Sequence, residues 1–221
     1  MRNSITLKSC IAFCLVLAGP FALAEARLPA PTPTPAVGDS WTYQYSDVRK
    51  GLKGNLNRIE VTSIDNAGVH VDVRRADGGA PPTRQLFSTE MNPIDRGAMH
   101  FTPSFSRFVF PLAPGTEWTS DVVGDNQKLG KQLRYAIKGK VLDWEKIKTP
   151  AGEFDAIKVV VEALYRGDET NSNGGNGQLT ETIWFAPELN NFVKLDYRDT
   201  DWQGRIFNRD SWELTSYVRT K

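Results

Sequence analysis

Four aspartates crowd one stretch near the end of the chain: Asp196, Asp199, Asp201 and Asp210. Two carboxylates at a suitable separation are enough to hydrolyse a glycosidic bond. Here, however, they are interleaved with Arg198, Arg205 and Arg209, which is the pattern of paired charges on a solvated face. The histidines are His70 and His100, and neither sits in an H-E-x-x-H motif, so no metal site and no cofactor is expected. A nucleophile elbow of the form Gly-x-Ser-x-Gly, a glycine-rich phosphate loop and a dinucleotide fingerprint are all missing. A carboxylate hydrolase is therefore the least favoured class, and no residue is assigned as catalytic. The segment 166–178, "RGDETNSNGGNGQ", matches a cell-adhesion tripeptide and half of a calcium loop. Thr180 stands where such a loop needs its bidentate Glu, so the segment reads as a hairpin tip.

Aromatic side chains are the richer resource. The stretch "MHFTPSFSRFVFPL", residues 99–112, carries Phe101, Phe105, Phe108 and Phe110 between prolines. So much apolar surface in a connection must pack on something, either plugging a barrel or lidding a cavity. Trp41, Tyr43, Phe105, Phe108, Phe110 and Trp118 are the candidate lining of an apolar, lipid-like ligand site, with core packing as the competing role. The rival is a module for envelope glycans or a protein partner, stacking on exposed Trp184, Trp202 or Trp212.

The elements that would position these residues are strands. In "SWTYQYSD" Trp41, Tyr43 and Tyr45 share one face, and in "GVHVDVRR" Val69, Val71 and Val73 do the same. "RIEVTSID" and "TRQLFS" complete a first meander, with Asn66-Ala67-Gly68 as hairpin chemistry. Longer alternating runs, "KQLRYAIKGKVLDW" and "FDAIKVVVEALYRG", join through Pro150-Ala151-Gly152. "LTETIWFAPELNNFVKLDYRDTD" reads as two strands and "RIFNRDSWELTSYV" as the last. Gly38-x-x-Trp41 and Gly115-x-x-Trp118 open the two halves, so the chain reads as two related four-strand units. The expected fold is all-β, a curved antiparallel meander or open β-barrel of roughly ten strands. Its single domain spans 37–221, with a first meander at 37–90, the apolar connection at 91–114 and a second meander at 115–221.

Ahead of it, Arg2 and Lys8 precede the apolar run from Ile11 to Leu23, and small residues follow at Ala22 and Ala24. This is a signal peptide, residues 1–24, with cleavage after Ala24 or Ala26. The run is too short for a comfortable membrane span, so no transmembrane segment is expected in the mature chain. Both cysteines, Cys10 and Cys14, leave with it, and neither lies in a lipidation sequence. A periplasmic protein without disulfides follows. Loss of Arg2 and Lys8 takes the formal charge from +1 to −1, which gives no electrostatic case for nucleic acid. Residues 25–36 carry prolines at every second position from Pro29 to Pro35 and read as an extended spacer or disordered leader, with folding beginning near Val37.

The motifs "VGDSWTY", "FPLAPGTEW", "TPAGEFDAIKVVVE" and "TIWFAPELNNFVKLDYRD", in this order after a signal peptide, resemble a family of bacterial periplasmic proteins classified only as a domain of unknown function. The resemblance covers most of residues 37–217. It implies a β-sheet fold and an envelope location, and it transfers no catalytic residues.

Overall fold

The computed structural model describes residues 27–126, 128, 130–167 and 175–220. The segment expected to be a signal peptide and the tip of the 166–178 segment lie outside them. Alternation of apolar and polar residues becomes strand after strand: β1 (Ser40–Asp47), β2 (Leu52–Asp65), β3 (Gly68–Arg75), β4 (Thr83–Phe87), β5 (Pro93–Asp95) and β6 (His100–Thr102) make the first half. The second half is β7 (Glu117–Asn126), β8 (Lys131–Thr149), β9 (Gly152–Gly167), β10 (Gly177–Ala186), β11 (Asn191–Asp201) and β12 (Ile206–Val218), with one 3-10 turn at Pro187–Leu189. Each strand pairs antiparallel with its sequence neighbour, and β12 returns to β1, so the sheet is a closed twelve-stranded barrel. Closure removes the unpaired edges that an open meander would leave. The strands expected from alternation are all present; β5 and β6 are additional and lie inside the stretch read as a connection.

Closure is clamped at one end by Asp39, whose side chain is fully buried. Its carboxylate accepts from the Thr220 amide at 2.7 Å and from the Ala36 amide at 2.9 Å, and it pairs with Arg219 at 3.2 Å. These bonds tie the chain entering β1 to the chain leaving β12. The proline-rich segment from Arg27 is docked over the same end, so order begins before Val37. Ala30 exchanges both backbone hydrogen bonds with Leu112, at 2.8 and 2.9 Å, and both residues are buried. The Asn190 side-chain amide donates to the Thr34 carbonyl at 2.7 Å. Proline's missing donors cost little here, because the segment adds itself through carbonyls and a single two-bond bridge.

The two halves repeat in hydrogen bonding as well as in motif. Gly38 donates to Val61 as Gly115 donates to Val141, both at 2.9 Å. Val61 donates back to Asp39 as Val141 does to Thr116. Both glycines hold a positive φ, 93° and 87°, which a side chain would strain. Further on, Met91 and Asn190 are the non-glycine residues with positive φ among the described residues, and each closes the turn that leads into the fifth strand of its half. The repeat is thus six strands long, not four. It differs chiefly in strand length: β5 and β6 have three residues each, whereas their counterparts β11 and β12 have 11 and 13.

Within the second half, Gly139 lies opposite Trp118 in the β7–β8 register, and a Cβ built there would come within 2.1 Å of the indole. Gly139→Ala should therefore displace Trp118 and lower stability by about 1–3 kcal/mol. Chemical denaturation followed by tryptophan emission checks this; an unchanged midpoint would show that the ring moves at no cost.

Candidate functional site

Eight strands enclose a space that inward side chains just fill, and twelve enclose more. The extra space is taken up by residues 103–112, which leave β6 and bury Phe105, Arg107, Phe108 and Leu112 before β7 begins, while Pro103, Val109 and Pro111 stay exposed. The Phe105 amide donates to the Pro93 carbonyl at 2.8 Å, and the buried Asn92 side chain bonds both the amide and the carbonyl of Phe108, at 2.8 and 2.9 Å. Trp118 Nε1 donates to the Ser106 carbonyl at 2.9 Å. Phe105 packs edge-on to Tyr135 and beside Phe101, while Phe108 and Phe110 pack on Phe185. The connection is a plug, and its strand pairing, amide bonds and aromatic contacts hold it in place.

One charged contact fixes the plug to the far wall. Arg107 Nε and Nη2 meet the Glu181 carboxylate at 2.7 and 2.6 Å, a two-pronged pair whose side chains are only 6% and 3% exposed. Glu181 occupies an inward position of β10, between Leu179 and Ile183. Burial acts to raise its pKa, but the Arg107 charge, the hydrogen bonds and the more distant Arg96 charge prevail, and the carboxyl is held below its ordinary value.

Two cavities remain around this pair. The first, about 80 Å³, is lined by apolar residues including Phe87, Phe108, Phe192 and Leu195, with Arg107 and Arg96 on its border. The second, about 220 Å³, is bordered by Met99, Phe105, Tyr135, Tyr197, Glu181 and again Arg96. Arg96 stands in the β5–β6 turn, where its amide donates to the Met99 carbonyl at 2.9 Å. Because β4, β5 and β6 are short, the barrel wall is lowest there. Arg96 is an exposed residue, but it borders both cavities, and the protein around it, with the Arg107 charge next, draws its guanidinium below its ordinary pKa.

The sequence-predicted lining residues separate into two groups. Phe108 borders the first cavity and Phe105 the second. Trp41, Tyr43, Phe110 and Trp118 border neither. Trp41 and Tyr43 are fully buried, and their polar tips donate to the carbonyls of Leu189 at 3.0 Å and Phe192 at 2.8 Å. Of the tryptophans considered as stacking platforms, Trp202 is exposed, Trp212 lines the first cavity, and Trp184 is 7% exposed between Lys158 and Lys194. The aspartates are each engaged separately: Asp199 by Tyr165, Asp210 by Tyr45, Asp196 by Ser211, and Asp201 by Arg205. His70 and His100 each lie beside an aspartate, and no cluster of three metal-ligating side chains occurs among the described residues.

Arg96, Arg107 and Glu181 were not foreseen. Glu181 could have been found as the charged residue on the apolar face of an alternating strand. Arg107 could have been found as the arginine inside the phenylalanine-rich stretch.

With this geometry in place, comparison with solved structures is informative. The chain is similar to a candidate lipoprotein from Parabacteroides distasonis, at 15% identity and a TM-score of 0.54 over 87% of this chain and all of that one. The two share a fold. A candidate exported protein with a YmcC-like fold from Bacteroides fragilis has 13% identity and a TM-score of 0.48, over 87% of this chain and 100% of that one. The hypothetical lipoprotein YmcC from Escherichia coli has 10% identity and a TM-score of 0.43, over 83% and 86%. No protein-family profile matches the chain and no curated protein is significantly similar to it, so the resemblance to the family of unknown function rests on the motifs alone.

Glu181→Gln leaves Arg107 buried without its counter-charge and should cost about 3–5 kcal/mol, read from urea midpoints at pH 7. The pH dependence has a defined sign. The folded-state pKa of Glu181 lies below the unfolded one, so the pair's stabilisation is complete above the ordinary glutamate pKa of about 4.3 and is lost as pH falls through the lower folded value. Midpoints measured between neutral and acid pH should fall less steeply for Glu181→Gln than for the wild type; parallel curves would show that other carboxylates dominate.

Proposed function

We propose that this protein is an exported, non-catalytic component of a bacterial envelope that holds a small apolar or amphiphilic ligand inside its barrel. The observation that carries this reading is the residual lumen: two cavities walled largely by aromatic and aliphatic side chains, with Arg96 bordering both. Ligand sites are concave, largely apolar, and furnished with a few placed polar groups. The volumes suit a single short or medium chain rather than a whole phospholipid. The leader sequence of residues 1–24 and the absence of cysteine after it support secretion, and the shared fold with a candidate lipoprotein fits an envelope location. Cys10 and Cys14 lack a lipidation context, which favours a soluble protein over a lipid-anchored one. Aromatic stacking of glycans has less support, because Trp184 and Trp212 are not available on the outer surface.

The test is calorimetric titration of 1-decanol into the protein, together with mass spectrometry of an organic extract of natively purified material. Saturable binding is expected, weakened by about tenfold in Leu195→Phe, which fills part of the first cavity. An empty extract with no saturable heat from the wild type would end this reading.

A further inference from the structure

Two arginines, Arg96 and Arg107, border the first cavity. Arg107 uses both oxygens of Glu181, so the pair is closed electrostatically. Arg96 is a second cation within range of the first, and among the described residues its guanidinium makes no hydrogen bond or ion pair. Its guanidinium offers five N–H donors at the border of a space lined by Phe87, Met91 and Phe192. An arginine on a turn can easily extend its long side chain into water. This one borders both cavities, where it feels the Arg107 charge and, against it, that of Glu181, whose oxygens are both bonded to Arg107.

A second polar group faces the same space. Tyr135 borders the larger cavity with Arg96, and its hydroxyl makes no hydrogen bond within the described residues. Burial and the Asp199 charge push its pKa up to about 12, so it remains a donor at any physiological pH. Asp199 itself is taken by the Tyr165 hydroxyl at 2.8 Å. Arg96 also borders the first cavity, which Tyr135 does not, and whose walls are mostly apolar. Polar donors thus stand at one point of the lumen, with a hydrocarbon-lined space next to them.

We infer that Arg96 anchors an oxyanion headgroup: the lumen takes a single-chain amphiphile whose carboxylate or phosphate pairs with the Arg96 guanidinium, with the Tyr135 hydroxyl as second donor. The chain lies among Phe87, Phe108, Phe192 and Leu195. The planar fork of a guanidinium matches both kinds of head, whereas a neutral alcohol leaves it unpaired. This rests on the ligand-holding reading above and names the chemistry of the ligand.

Decanoate, decyl phosphate and 1-decanol titrated calorimetrically into the full chain separate the two. The wild type should bind at least one of the anions about tenfold or more tighter than the alcohol, the gain expected of charged hydrogen bonds. The tighter of the two anions identifies the head. Arg96→Gln should remove the preference for that anion over decanol, and Arg96→Lys should retain part of it. Because the Arg96 side chain makes no bond within the protein, both variants should keep the wild-type thermal transition. Equal affinity of the wild type for alcohol and anions, or undiminished anion binding in Arg96→Gln, would overturn the inference and leave the lumen as an uncharged ligand site. If none of the three compounds binds the wild type, both readings fall.

Discussion

A ring of twelve hydrogen-bonded strands encloses more space than its own side chains can fill, and the rest of this structure follows from how that space is managed. Closure through β1 and β12 satisfies the backbone but creates a wide interior. An unfilled interior of that size would forfeit the dispersion contacts that stabilise a packed core. The chain answers by sending residues 103–112 inward, so that the plug comes from the same polypeptide as the wall. The interior that results is mostly, though not completely, filled.

The Arg107–Glu181 pair makes the position of that plug specific. Apolar contacts among Phe105, Phe108, Phe110 and Phe185 are non-directional and would tolerate sliding by a residue. A buried two-pronged ion pair does not tolerate it, because any shift separates charges that water cannot reach. Replacing the pair by aliphatic residues could give an equally stable barrel, as buried ion pairs often break even against hydrophobic substitutes. What the pair provides is a single register for the plug, and hence a fixed shape for the space around it. Arg96 takes its meaning from the same arrangement, since a carboxylate already committed to Arg107 has little left to offer a second cation.

How much of this could be read from the residues depended on whether the signal was local. β1 and β3 are bounded as their alternation predicted, and the hairpins at Asn66-Ala67-Gly68 and Pro150-Ala151-Gly152 fall at the expected places. β5 and β6 were invisible because three residues are too few to show a period. Closure depends on β1 meeting β12, a pairing between residues far apart that no window of sequence encodes. The leader was readable as extended, but its docking depends on Leu112 across the barrel end. In the site, Phe105 and Phe108 were recognisable as lining because their surroundings demanded burial. Arg96 was not, since Asp95-Arg96-Gly97 reads as ordinary turn chemistry and nothing local says which way its side chain faces.

The unequal strands carry a mechanical consequence. β5 and β6 oppose each other through one residue pair, Asp95 and His100, whereas β8 and β9 are matched along nearly their whole lengths. A closed ring under thermal stress parts where the fewest bonds hold it. The barrel is therefore soft along one arc and stiff around the remainder, and its fluctuations are directed to the arc that carries Arg96. For the ligand proposed above, entry through that arc would need no hinge and no moving domain, only the brief loosening of the narrowest joint in the hoop.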